Sequence, residues 1–108
     1  MCAIFTSLGV TSNLSASETK EFKMTAQKYT FKPEMIVVNE GDYVILHITS
    51  VDTKHGIRIE EYNIDQVLPK NKTVTIEFIA DKKGMFEIEC TKFCGWRHFS
   101  MSNTLIVN

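Results

Sequence analysis

From Glu21 onward, hydrophobic and polar positions alternate in short runs broken by turn residues at intervals of about ten. The clearest run is Thr73 to Phe78, where Val74, Ile76 and Phe78 fall on one side and Thr73, Thr75 and Glu77 on the other. Phe86, Ile88 and Cys90 likewise alternate with Glu87 and Glu89. A period of two is the signature of a strand with one face buried. The pattern predicts strands at about 21–27, 35–38, 42–50, 56–60, 73–80, 85–90 and 103–107. Between them, Asn39 to Asp42 and Asp81 to Gly84 carry turn chemistry, each with a glycine free to take positive φ. No amphipathic helix of useful length, internal repeat or low-complexity tract interrupts this text. The expected fold is all-β: about seven antiparallel strands closed into a Greek-key β-sandwich.

At 108 residues the chain has room for one small domain with a single core. Twelve basic residues against thirteen acidic ones give a net charge of −1, which lacks the basic excess of a nucleic-acid binder. No run reaches the roughly 18–20 apolar residues of a membrane-crossing helix. Residues 1–16 resemble the remains of an export signal: an apolar run from Cys2 to Val10, then small residues around Ser15 and Ala16, without the usual basic start. The reading is a leader over 1–20, a folded domain over 21–108, and a periplasmic or otherwise extracytoplasmic location.

The chemistry is concentrated between the last two strands. Cys90, Cys94, His98 and Met101 have the spacing Cys-x3-Cys-x3-His-x2-Met. Two thiolates, an imidazole and a thioether form a soft donor set that favours copper over hard cations. A further ligand is expected from elsewhere in the chain. His55, at a predicted strand start beside Gly56, is the best candidate. His47 lies inside a strand on the face opposite Val44, Leu46 and Ile48, so it reads as solvent-facing or satisfied by a neighbour.

These residues carry a resemblance. The run from Phe31 through Pro33 to Asp42 resembles the first strands of cupredoxins. Ser50 to Gly56 resembles the segment bearing the first copper histidine of cytochrome c oxidase subunit II. Cys90 to Met101 resembles that family's CuA ligand loop. The resemblance implies a cupredoxin-like domain with two copper ions that carries electrons and has no catalysis of its own. Cys90 and Cys94 would bridge both metals, His55 and His98 would hold one each, and Met101 and the backbone carbonyl of Lys92 would be weak axial ligands. The implied partners are a c-type cytochrome or a terminal oxidase, for a free carrier or an oxidase subunit. Three features depart from the family pattern. The N-terminal membrane helices of its membrane-bound members have no counterpart in this sequence. Lys92 stands where many members have a magnesium-holding Glu, and Trp96 and Arg97 fill a stretch that is often small.

Other readings of the same residues remain open at this level. Cys94, His98, Met101 and His55 match a mononuclear type 1 (blue) copper set, with Cys90 spare. A Cys90–Cys94 disulfide or a structural zinc site would use fewer of the residues. A copper chaperone or storage protein for an oxidase is the rival from another class. Trp96, Arg97 and Phe99, with Phe93, read as a partner-docking patch beside His98: an apolar centre with a basic rim from Arg97 and Lys92.

Overall fold

The structure, a computed structural model, describes residues 18–92 and 101–108. Nine strands are present among them: β1 Thr19–Gln27, β2 Thr30–Lys32, β3 Met35–Val38, β4 Tyr43–Ser50, β5 His55–Ile59, β6 Ile64–Leu68, β7 Thr73–Ile79, β8 Gly84–Glu89 and β9 Ser102–Val107. They form two sheets, ordered β2-β1-β4-β7 and β3-β9-β8-β5-β6, laid face to face as a β-sandwich.

All seven expected strands are found, and two more join them. β2 is three residues long, too short to show a period. β6 buries only its ends, Ile64 and Leu68, with exposed Asp65, Gln66 and Val67 between them. Its place as the last strand of its sheet explains a sequence that reads as loop. β1 begins at Thr19, two residues ahead of the strand start read from the sequence. The expectation of purely antiparallel pairing is corrected: β1 runs parallel to β4, and β3 runs parallel to β9. Alternation reports which face of a strand is buried, not the direction of its neighbour.

The inward halves of the alternating runs meet in one core. Val44, Leu46 and Ile48 of β4 lie opposite Phe78, Ile76 and Val74 of β7, while Ile57, Ile59, Ile88 and Leu105 come from the other sheet. Phe31, Met24 and Ile36 complete it. Each such side chain withdrawn from water contributes roughly 1.5–3 kcal/mol before entropy is counted. His47 falls on the outer face, where its ring contacts the Glu21 carboxylate and, at 3.0 Å, the Thr75 hydroxyl.

One end of the sandwich is closed by Asp42, which has no exposed surface. Its carboxylate accepts the amide N–H groups of Glu18 (3.2 Å) and Asn39 (2.8 Å) and the Lys20 ammonium (2.7 Å). Burial pushes its pKa up, but Lys20 and the two amides outweigh that and hold it below the ordinary value of 3.8. Gly41, at φ +94°, makes the turn that brings Asp42 inward. Backbone bonds from Gly41 to Ala80, Ala80 to Asp42 and Glu40 to Asn108 lace the same end together.

Candidate metal centre

The opposite end is built differently. β4 ends at Ser50, whose hydroxyl donates to the Thr53 carbonyl and curls the connection back toward β5. That curl sets His55 as the first residue of β5, paired with Leu68 of β6 and fully buried. β8 and β9 form an antiparallel pair that ends at Glu89 opposite Ser102. One step further the Cys90 amide donates to the Met101 carbonyl at 3.2 Å, so the two ends of the connecting segment are fixed side by side. Cys90 and Met101 are both buried, 8% and 2% exposed.

Three donors converge here. The Cys90 Sγ lies 3.7 Å from His55 Nδ1 and 3.3 Å from the Lys92 carbonyl oxygen. On its far side the His55 ring meets Asp52, with Nε2 2.9 Å from Oδ1. The other Asp52 oxygen accepts the Lys28 amide N–H at 2.7 Å. Burial raises the Asp52 pKa, but the Lys28 amide and the His55 ring together hold it below its ordinary value, so it is a carboxylate at neutral pH. A carboxylate only accepts, so the ring donates an Nε2 proton to Asp52, and in the neutral ring it is Nδ1 that turns a lone pair toward the sulfur.

Gly56 makes this approach possible. A Cβ there would lie 2.9 Å from Lys92 Cγ and 3.2 Å from the Lys92 amide, and closer still to the Thr91 hydroxyl. The segment bearing Cys90 and Lys92 therefore rests directly on the β5 backbone. Thr91 Oγ1 is buried with no hydrogen-bond partner among the described residues. A cleft of about 320 Å³, lined among the described residues by Cys90, Thr91 and Met101 with Arg58, Glu87 and Glu89, reaches this end. Arg58 and Glu89 face each other across β5 and β8, with Nε 3.1 Å from Oε1.

Of the residues singled out in the sequence, His55, Cys90, the Lys92 carbonyl and Met101 are thus brought to one end of the fold. Cys94, His98 and the docking candidates Trp96, Arg97 and Phe99 lie outside the described residues. Asp52 is a site residue that the sequence pattern does not single out. An acid three residues before a candidate histidine is the available signal, because ligand histidines usually give their second N–H to a carboxylate or carbonyl. The donors present fit copper: a thiol sulfur, an imidazole lone pair and a thioether side chain, out of bulk water.

Two sheets in this strand order define a class of β-sandwich fold, and the comparisons agree with it. Residues 1–107 match the cupredoxin-like domain, and the chain belongs to that family. It is 34% identical over 89 residues to nitrous-oxide reductase of Cupriavidus necator, covering 79% of this chain and 14% of that protein. It is 32% identical over 80 residues to cytochrome c oxidase subunit 2 of Thermus thermophilus, covering 73% of this chain and 58% of that protein. The chain thus spans only part of the length of either relative. Among solved structures, the periplasmic domain of subunit II of cytochrome oxidase from Bradyrhizobium japonicum has the same fold. Its TM-score is 0.74 at 17% identity, with 82% of this chain and 83% of that one covered. This is a cupredoxin domain related to the CuA regions of nitrous-oxide reductase and cytochrome c oxidase subunit II.

Proposed function

We propose that the chain is an electron-transfer domain with a dinuclear, CuA-type copper centre. Cys90, Cys94, His55 and His98 would hold the two copper ions, with Met101 and the Lys92 carbonyl as weaker ligands. The observation that carries this reading is the convergence of Cys90 Sγ, His55 Nδ1 and the Lys92 carbonyl beside buried Met101. Copper held by these residues would supply a centre that gains and loses one electron.

The residues of this chain do the rest. The Cys90–Met101 backbone bond and the contact of Lys92 with Gly56 keep the donors in place whether or not an electron is present. The His55 ring is fully buried and Met101 nearly so, and the fewer waters that must reorient around them, the smaller the reorganisation that accompanies each transfer. None of the positions assigned to ligands is left for a substrate, so the domain relays electrons and leaves chemistry to a partner. That partner is a c-type cytochrome or a terminal oxidase in an extracytoplasmic compartment, with Trp96, Arg97 and Phe99 as the contact surface beside His98.

Copper reconstitution tests the reading. Two coppers per chain are expected, with an electron paramagnetic resonance spectrum split by two equivalent nuclei, and Cys90→Ser should lose both. One copper with splitting from a single nucleus would overturn it in favour of a mononuclear blue site. Stopped-flow reduction by a c-type cytochrome, slowed by Trp96→Ala with the spectrum intact, checks the contact surface.

A further inference from the structure

We infer that Asp52 is the positioning residue of this centre: it fixes which nitrogen of His55 faces the metal, and through the ring it sets copper affinity and reduction potential. The inference rests on the copper-binding reading above and assigns a role to a residue that is not itself a ligand.

His55 has no exposed surface, and its nitrogens face opposite ways, Nδ1 to the Cys90 sulfur at 3.7 Å and Nε2 to Asp52 Oδ1 at 2.9 Å. An imidazole with its proton on Nδ1 would aim N–H at the sulfur and set its Nε2 lone pair against a carboxylate oxygen. Asp52 makes that form unfavourable and leaves the one whose free lone pair points into the site.

Asp52 is also anchored on its other side. Its Oδ2 accepts the Lys28 amide at 2.7 Å, in the turn between β1 and β2. Rotating the carboxylate away from His55 would break both bonds at once. The Ser50 hydroxyl, bonded to the Thr53 carbonyl, holds the same connection curled, so Asp52 and His55 keep their three-residue offset on one side of it. The Asp52 side chain is 33% exposed and the His55 ring not at all. One carboxylate therefore links the protein surface to the interior donor. A carboxylate accepting the outer N–H makes the inner nitrogen a stronger donor, which favours the more oxidised metal. Outer partners of this kind typically change metal affinity by 10–100-fold when removed.

The test compares wild type with Asp52→Asn, whose amide oxygen can still accept the Lys28 N–H while the charge is lost. In the metal-free full chain, nitrogen-15 NMR of the histidine rings, recorded at a pH where the imidazoles are neutral, should show the His55 proton on Nε2. After loading, Asp52→Asn should bind copper about 10–100-fold more weakly in competition with a chelator. Its reduction equilibrium should move at least tenfold toward the reduced form, which is about 59 mV for one electron. A proton on Nδ1 in the wild-type metal-free chain overturns the inference, as does an unchanged affinity and potential in the variant. Should Asp52→Asn fail to fold, the wild-type ring spectrum decides alone. Failure of the two-copper reading shows separately, as a wild-type stoichiometry other than two, and leaves that ring spectrum as readable as before.

Discussion

The two ends of the sandwich each bury polar groups, yet they treat them in opposite ways. At the Asp42 end the carboxylate has three donors, and the backbone around it is bonded from Gly41 to Ala80 and from Glu40 to Asn108. At the His55 end a sulfur, a ring nitrogen and a carbonyl oxygen face one another, and the Thr91 hydroxyl has no partner among the described residues. Buried polar atoms are ordinarily paired, because an unpaired one costs about 1–3 kcal/mol. An end that is fully satisfied holds the strands. The end that groups a sulfur, a ring nitrogen and a carbonyl oxygen is the one where the proposed copper would be held.

Four substitutions put that contrast under strain. The largest effect on folding is expected at the satisfied end. Asp42→Ala leaves the amides of Glu18 and Asn39 without acceptors and should cost about 2–4 kcal/mol in chemical denaturation, with the copper spectrum unchanged below the melting point. The acid limb carries the same information. Asp42 is lowered in the folded state, so its contribution is complete above its ordinary value of 3.8 and fades as pH falls through the folded value. Asp42→Asn should flatten the stability curve in that acid window and leave its neutral region sloped as in wild type.

Gly56→Ala acts at the other end and should reverse the pattern. The added methyl meets Thr91 and Lys92, so the segment bearing Cys90 must lift, at a cost of about 1–3 kcal/mol. Unlike Asp42→Ala, it should change the absorption spectrum of the copper-loaded protein. If Gly56→Ala lost stability with an unchanged spectrum, the two ends would not be functionally distinct. The smallest effect belongs to His47→Ala, on the outer face between Glu21 and Thr75. It should change stability by no more than about 0.5 kcal/mol and leave copper binding as it was.

How much of this contrast is legible in the sequence depends on what alternation can encode. It marks a buried face, so β4, β7 and β8 and their inward residues can be read directly. It is silent where a strand buries too few residues to show a period, as in β2 and β6, and silent about strand direction, as for the parallel partners β1 and β4. Spacing points to Cys90 and Met101, and a strand start beside glycine points to His55. Neither separates Asp52 from any other loop acid, because its role depends on an oxygen meeting a ring nitrogen and the Lys28 amide in three dimensions. Asp42 reads as turn chemistry. Its burial comes with a contact to Lys20, 22 residues away, that local pattern does not record.

The meeting of β5 with β8 has a consequence of its own. Their ladder is a single residue pair, Arg58 opposite Glu89, whereas β8 and β9 share six. His55 belongs to one side of that narrow seam and Cys90 to the other, 35 residues apart in sequence. The proposed copper, gripped by both, would be a clasp across the seam, closing a long loop that the unfolded chain would otherwise leave free. Loaded and empty forms should then differ most in how often the seam opens, seen as slower amide exchange on loading that is larger at Ile57 and Ile88 than at the Asp42 end.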